Sequence, residues 1–307
     1  MSVQTDMLDK FTNSSGFISA LDQSGGSTPS ALEHYGIKPE SIQTQKEMFE
    51  AIHEMRTRII LSASFTSQRV IGAILFKDTL DRKIQGIPTD EYLWKTKFII
   101  PFLKIDDGLK NEVDGVRLMK PIKNLHSILS DAKNKTILGT KMRSVINKAN
   151  EKGIRALIKQ QFSVAREVLK FDLIPIIEPE VSIHCHDKGY AELMLKDAID
   201  EELGHIDVEQ RIILKLTLPE VSNTYEDINS HPKILRILAL SGGYTLEEAN
   251  QKLTENDKII ASFSRALLGR LYFSMSDEEF NRELNSTIEA IFKASIYKVQ
   301  KYSSPTL

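Results

Sequence analysis

The sequence predicts an α/β protein that folds as a single-domain (β/α)8 barrel spanning residues 1–307. Short apolar runs recur along the chain, amphipathic stretches with helical spacing separate them, and there are eight such runs. The runs are nearly continuous in Ile, Val and Leu, which is typical of parallel strands covered on both faces. An open doubly wound sheet is the alternative arrangement of the same elements.

The order of the predicted elements is regular. The eight predicted strands lie at 16–22, 70–76, 98–105, 136–142, 173–181, 211–219, 234–243 and 259–267. The clearest predicted helices lie at 47–60, 154–170, 188–203, 245–253 and 277–302. Ser276 and Glu279 form a candidate capping box at the start of the last helix. The turn DQSGGS after the first strand lacks the spacing of the Gly-x-Gly-x-x-Gly dinucleotide fingerprint.

The composition limits the partners that we expect. The formal net charge is −2, so no global basic field indicates nucleic-acid binding. The single cysteine, Cys185, excludes an intrachain disulfide framework and fits a reducing compartment. The first residues contain no apolar core of the kind that a signal peptide needs, and apolar runs such as 98–103 are too short to cross a bilayer. We therefore expect a cytoplasmic protein with a small-molecule substrate and neither a membrane nor a nucleic-acid partner.

Polar residues recur where the predicted strands end. In a (β/α)8 barrel, catalytic residues gather at the C-terminal ends of the strands. A single charge there is most simply a solvated strand end, but polar residues on nearly every strand favour a site of mixed charge. These residues are Asp22, Lys104, Lys141, Arg143, Glu178, Glu180, Lys215, Ser241, Gly242, Gly243 and Arg265.

Lys215 is the most informative of them because it lies inside the apolar strand RIILKLTLP. A free lysine has a pKa near ~10.4, and burial or a neighbouring cation such as Lys141 lowers that value and makes the amine nucleophilic. Imine formation expels water from a carbinolamine and needs a proton donor, for which Glu178 is the candidate. Glu180 points to the same face and can hold one of the lysines, whereas a glutamate close to Lys215 also stabilises its charged form.

Glycine-rich and hydroxyl-rich turns indicate anion binding. LSGG follows the seventh strand and SFSRAL the eighth, where many barrels bind phosphate, and Arg265 can donate two hydrogen bonds to an anion. DQSGGS follows the first strand, and Lys104 belongs to the same mouth. Two such turns at opposite sides of one mouth suit a small molecule with two phosphates.

Seven motifs together resemble class I fructose-1,6-bisphosphate aldolases in their shorter bacterial form, over essentially the whole chain. The motifs are ALDQSGGSTP, FLKIDDG, LGTKMRS, PIIEPEV, ILKLTLP, LALSGGY and ASFSRAL. The resemblance implies a (β/α)8 barrel, a covalent imine on Lys215, no cofactor and no metal. It implies cleavage of fructose 1,6-bisphosphate to dihydroxyacetone phosphate and glyceraldehyde 3-phosphate, in glycolysis or gluconeogenesis. Homo-oligomers occur in this family, and the sequence does not indicate a particular oligomeric state.

The resemblance also implies roles for individual residues. Glu178 matches the general acid/base, Asp22 the aspartate near the C3–C4 bond, and Lys141 the lysine that perturbs Lys215. Glu180 and Arg143 match the supporting charged shell. The residues that match the site for the phosphate on the ketone end are Ser241, Gly242, Ser264 and Arg265. Those that match the surroundings of the other phosphate are Ser24, Ser27 and Lys104.

Some positions depart from the better-known animal members. Gln23 replaces a glutamate, Met142 a tryptophan, and Ser264 a glycine, and these changes spare the charged catalytic set. The C-terminal KYSSPTL lacks the terminal tyrosine used there for proton exchange at the enamine. Tyr297 and Tyr302 are weak candidates for that step.

Three alternatives remain at this stage. A zinc-dependent aldolase would use His184, Cys185 and His186, which are zinc-ligand types, although the other five histidines are scattered. A binding or scaffold barrel would have a broken site, whereas the charged catalytic set is complete. A tagatose 1,6-bisphosphate aldolase would share all these residues, because the two sugars differ only in the configuration at one hydroxyl.

Overall fold

Eight parallel strands form the barrel in the computed structural model, which describes residues 2–24 and 26–299. We label them β1 to β8, and their bounds are Phe17–Leu21, Val70–Leu75, Ile100–Lys104, Gly139–Ile146, Ile174–Val181, Ile212–Thr217, Ile234–Leu240 and Ile260–Ala261. Each strand pairs with the next in chain order. The Ala20 N–H donates to the Phe263 carbonyl at 3.2 Å and joins the two ends of the sheet. The barrel prediction is therefore confirmed, and the open doubly wound sheet is wrong.

Two strand predictions need correction. β4 runs to Ile146 instead of ending at 142, because its last residues also pair with the antiparallel strand Val116–Arg117. β8 ends at Ala261, whereas the prediction extended to 267. A helical turn, Arg265–Leu268, begins immediately after Ser264, whose backbone already leaves the extended conformation.

Helices surround the barrel and connect its strands. In chain order, α1 to α11 are Val3–Asn13, Thr28–His34, Gln45–Leu61, Lys77–Asp81, Leu125–Lys133, Glu151–Leu169, Lys188–Leu203, Glu226–Asn229, Leu246–Thr254, Arg265–Leu268 and Asp277–Ile296. Shorter pieces are the turns Pro39–Ser41, Thr89–Glu91 and Tyr92–Thr96 and the hairpin Lys83–Ile84 with Ile87–Pro88. The predicted capping box of Ser276 and Glu279 is confirmed, and α11 ends at Ile296 rather than at 302.

Apolar packing fills one end of the barrel. The interior core contains Ile18, Ile71, Ile100 and Phe102 from the beginnings of strands, and α1 inserts Phe11 against it. The rings of Phe11 and Phe102 pack edge to face with centroids 5.8 Å apart. Because α1 covers the N-terminal end of the strands, the space left for a polar site is at their C-terminal end. In the part of the chain that the structure describes, no helix is long and apolar enough to cross a membrane.

Candidate active site

Four charged side chains form a buried cluster at the C-terminal end of the barrel. Asp22 follows β1, and Lys141, Glu178 and Lys215 project from β4, β5 and β6. Each of the four is less than one-tenth exposed. Lys141 is aligned with Ile176 on β5, and Ile176 is aligned with Ile213 on β6. Glu178 and Lys215 each lie two residues beyond these partners, so they share the inner face at one level.

The cluster is a continuous chain of ion pairs. Lys215 Nζ lies 3.1 Å from Glu178 Oε1, and Glu178 Oε2 contacts Lys141 Nζ. Lys141 Nζ donates to Asp22 Oδ2 at 2.8 Å. Lys141 therefore interacts with two carboxylates at once, whereas Lys215 forms an ion pair with Glu178 alone among the described residues.

The pairs decide which groups carry charge. Burial by itself raises the pKa of Asp22, but Lys141 and Lys215 outweigh it and hold that pKa well below its usual value. Burial lowers the pKa of Lys141, but Asp22 and Glu178 outweigh it and raise that pKa above its usual value. Asp22 and Glu178 therefore favour the charged form of Lys141, and Lys215 remains as the candidate nucleophile.

Arg143 and Glu180 form a second pair beside the cluster. Arg143 Nε donates to Glu180 Oε2 at 2.6 Å. Although burial lowers the pKa of Arg143, Glu180 raises it more strongly. The sequence suggested that Glu180 holds one of the lysines, but its partner in the structure is Arg143. The pair nevertheless lies beside the cluster, where the motifs imply a supporting charged shell.

Lys104 is already paired in a way that the sequence did not predict. Its Nζ donates to Asp106 Oδ1 at 2.6 Å and to the Asp106 carbonyl at 3.0 Å. Both side chains are buried, and Lys104 is aligned with Lys141 on the neighbouring strand. Asp106 was missed, although its place in FLKIDDG, two residues after the end of β3, was a usable signal. Lys104 thus lies beside Lys141, and its ammonium group is already paired with Asp106.

The turn after β7 has the features of an anion site. Ser241 is buried, and Gly242 and Gly243 have φ values of +64° and +125°, a conformation that favours glycine. A Cβ on Gly242 would lie 2.9 Å from Ile183 Cγ2, which also requires glycine there. A Cβ on Gly243 would lie 3.8 Å from Arg265 Nη2, so the guanidinium lies next to this turn. Of the residues that the sequence proposed for this phosphate, the structure therefore places Arg265 next to the turn that holds Ser241 and Gly242.

The turn after β1 lies elsewhere than predicted. The Ser24 N–H donates to Ser27 Oγ at 3.2 Å, and Ser27 is exposed. Gln23 Nε2 donates to Ser264 Oγ at 2.6 Å, which connects this turn directly to the turn after β8. The two turns that the sequence predicted to bind anions are therefore not at opposite sides of the mouth, because barrel closure makes the first strand the neighbour of the last.

The histidine-rich loop after β5 lies outside the cluster. His184 and His186 are exposed, Cys185 is buried, and His186 Nδ1 contacts Asp187 Oδ1 at 2.9 Å. Within residues 2–24 and 26–299, no three His, Cys, Asp or Glu side chains are grouped as metal ligands would be. Tyr297 is exposed at the end of α11, and Tyr302 lies outside the described residues.

Comparisons with known proteins agree with the motifs. No protein-family model matches the chain. "Fructose-bisphosphate aldolase class 1" of Synechocystis sp. is 50% identical over 291 residues, covering 95% of this chain and 97% of that protein. The protein of the same name from Porphyromonas gingivalis is 48% identical over 291 residues, covering 95% and 99%. A solved fructose-bisphosphate aldolase from Plasmodium falciparum shares the fold, with a TM-score of 0.74, 19% identity and coverage of 97% and 96%. The chain belongs to the class I fructose-bisphosphate aldolase family.

Proposed function

We propose that this class I aldolase cleaves fructose 1,6-bisphosphate reversibly, with Lys215 as the nucleophile and no metal. Class I fructose-bisphosphate aldolases are carbon–carbon lyases that work through a lysine Schiff base. The observation that carries the assignment of residues is the buried chain Asp22–Lys141–Glu178–Lys215 at the C-terminal end of the barrel. It contains a nucleophile, a proton carrier within hydrogen-bond reach, and a cation that remains charged.

The first step forms the imine. Glu178 takes a proton from Lys215, and the neutral amine then attacks the C2 ketone. The carbinolamine hydroxyl leaves as water after the proton on Glu178 is transferred to it. Glu178 is the proton donor, since its Oε1 lies 3.1 Å from Lys215 Nζ. Lys141 keeps its positive charge next to Glu178 and Asp22 during this step.

The second step breaks the C3–C4 bond. The protonated imine is an electron sink, so the bond can break once Glu178 removes the C4 hydroxyl proton. Asp22, kept ionised by Lys141, accepts a hydrogen bond near that carbon. Glyceraldehyde 3-phosphate leaves, and the enamine is protonated at C3 and hydrolysed to dihydroxyacetone phosphate. Hydrolysis returns Lys215 to its free amine.

Two groups of residues hold the phosphates in this proposal. Ser241, Gly242, Ser264 and Arg265 bind the phosphate on the ketone end. Ser24, Ser27 and Lys104 bind the other one, and Lys104 partly releases Asp106 when it does so. Fixing both ends positions C2 against Lys215, and such positioning accounts for up to about 7–11 kcal/mol of a barrier.

The cellular setting completes the proposal. It includes a single catalytic domain over residues 1–307, a cytoplasmic location, and no nucleic-acid or membrane partner. The low net charge of −2 and the single cysteine agree with this. Homo-oligomer formation stays an expectation, which light scattering of the purified protein tests.

Borohydride trapping tests the assignment. The protein is incubated in excess EDTA with dihydroxyacetone phosphate and sodium borohydride, and its peptides are mapped by mass. We expect an adduct on Lys215 in the wild type and none in the Lys215→Met variant. An adduct on Lys141 would keep the reaction and overturn the residue roles, whereas unmodified folded protein would refute the proposal. Parallel assays with fructose and tagatose 1,6-bisphosphate then identify the preferred sugar.

A further inference from the structure

Arg56 is a buried cation behind the active-site mouth. It lies on α3 and has no exposed surface. In the described part of the chain, no carboxylate oxygen lies within 4 Å of its nitrogen atoms, and its Nε–H has no hydrogen-bond partner. Burying an arginine in this way is costly. The mechanism proposed above does not use this residue, so its position needs a separate explanation.

The contacts of Arg56 point to the turn after β1. Arg56 Nη2 donates to the Gln23 carbonyl at 2.6 Å and to Gln23 Oε1 at 3.1 Å. Its Nη1 donates to Thr79 Oγ1 at 2.6 Å, and Thr79 lies on α4 after β2. Arg56 thereby fixes both the backbone and the side chain of Gln23, the residue directly after Asp22.

These contacts determine the orientation of the Gln23 amide. A guanidinium can only donate hydrogen bonds, so the Gln23 atom that faces Arg56 has to be the amide oxygen. The amide NH2 is then directed to Ser264 Oγ, to which it donates at 2.6 Å. Ser264 Oγ accepts this bond, so its own hydrogen remains available for another acceptor. The chain of contacts therefore has one possible direction, from Arg56 through Gln23 to Ser264.

We propose that Arg56 and Gln23 are positioning residues that keep the Ser264 hydroxyl oriented as a hydrogen-bond donor to the phosphate on the ketone end of the substrate. The proposal rests on the proposed function, in which Ser264 and Arg265 bind that phosphate. It also explains why the residue between Arg56 and Ser264 is an amide. A carboxylate at position 23 would accept from both sides and take up the Ser264 hydrogen, leaving no donor for the phosphate.

The location of the Arg56–Gln23–Ser264 relay gives a second reason for the proposal. β1 and β8 are the strands that close the barrel, and β8 is only two residues long. The Ala20 N–H bond to Phe263 joins the strands within the barrel, and the Gln23–Ser264 bond joins their turns above it. The relay therefore holds a phosphate-binding turn at the point where the sheet supplies few hydrogen bonds.

The test compares two ketones that differ only in the phosphate. The rate of borohydride-trapped adduct on Lys215 is measured below saturation with dihydroxyacetone phosphate and with unphosphorylated dihydroxyacetone. The ratio of the two rates is the preference for phosphate. Gln23→Glu is close to isosteric and gives Arg56 a charge partner, so we expect it to fold, which circular dichroism checks. We expect it to lower the preference about tenfold, as the loss of one hydrogen bond to a charged group does.

Further variants separate the relay from a general structural effect. Ser264→Ala should lower the preference by a similar factor, and adding Gln23→Glu to it should cause no further loss. Arg56→Lys keeps the charge but loses the fork of donors, so we expect a smaller loss. Arg58→Lys is the matched control on the same helix, because Arg58 faces Asp277 and the loop before it. It should leave the preference unchanged.

Three results would overturn the relay while leaving the proposed function intact. The first is a preference for phosphate in Gln23→Glu that equals that of the wild type. The second is an equal loss of trapping rate with both ketones. The third is that the losses of Gln23→Glu and Ser264→Ala add up in the double variant. Failure of the proposed function is distinguishable, because wild-type Lys215 would then form no adduct with either ketone.

Discussion

Replacing Lys141 with methionine removes the cation that Asp22 and Glu178 share. The three side chains are buried together, with Lys141 Nζ at 2.8 Å from Asp22 Oδ2 and in contact with Glu178. In the variant, two carboxylates remain, and among residues 2–24 and 26–299 Lys215 is then the only cation that contacts either of them. We expect the variant to lose stability, because the two buried carboxylates lose the cation that they share. We also expect it to form the imine more slowly, because Lys215 then has to balance the charge of both carboxylates.

The size of the effect follows from the geometry. At 2.8 Å and an effective dielectric constant of about 20, the attraction between Lys141 and Asp22 is about 6 kcal/mol. Desolvation of both ions cancels part of it, and removing one partner of a buried pair typically costs about 3–5 kcal/mol. We therefore expect the free energy of unfolding at pH 7 to fall by that amount.

The loss should depend on pH with a definite sign. In the wild type, the pKa of Asp22 is depressed, so its contribution to stability is present above the unfolded value near 3.9 and is lost as pH falls. In Lys141→Met, burial without the cation raises that pKa, so the variant gains stability relative to the wild type as Asp22 becomes protonated. The difference in unfolding free energy should narrow between pH 7 and pH 4.

Urea unfolding at several pH values measures this difference, and borohydride trapping measures imine formation. Lys141→Arg keeps the charge and serves as the control, with a smaller loss of stability that changes less with pH. A variant within about 1 kcal/mol of the wild type at pH 7 would contradict the reasoning, since a broken buried pair costs more. A loss that stays constant down to pH 4 would show that the destabilisation does not come from the carboxylates.

Three other predictions concern single residues. Lys215→Met should fold and give no adduct in a borohydride assay with dihydroxyacetone phosphate, and an adduct formed at an unchanged rate would mean that another lysine is the nucleophile. Tyr225→Phe should stabilise the protein by about 1 kcal/mol in urea, because the buried Tyr225 hydroxyl has no hydrogen-bond partner among the described residues, and a clear loss would point to a partner. Gly139→Ala should cost about 3 kcal/mol or more, since its Cβ would lie 1.9 Å from the Ile174 carbonyl oxygen and separate β4 from β5, and native stability in urea would contradict this packing.

The sequence was most informative where local pattern is sufficient. Apolar runs of Ile, Val and Leu mark strands because a strand covered on both faces has to be apolar on both. Lys215 was identifiable because it interrupts such a run, and its place near the end of β6 followed from the same run. The limits of β4 and β8 were wrong because they depend on pairing with Val116–Arg117 and on the backbone at Ser264.

Arg56 shows what local pattern does not contain. Its helix reads as an amphipathic surface helix, and arginine is rarely fully buried, so nothing in that stretch marks it as a partner of Gln23. Asp106 was a different kind of omission. It is one of two adjacent aspartates after β3, and only the side-chain direction shows which of them pairs with Lys104.

The sequence by itself therefore determined the number and order of the strands, the residue types at their C-terminal ends, and the lysine that we propose for imine chemistry. Only the tertiary structure decided which charges pair. Asp22 and Lys141 are 119 residues apart in the chain but 2.8 Å apart in the fold, and Glu180 pairs with Arg143 instead of a lysine. It also decided that the turns after β1 and β8 are neighbours. The physical reason is that charge and hydrogen bonding depend on distance and burial, which barrel closure sets between segments far apart in sequence.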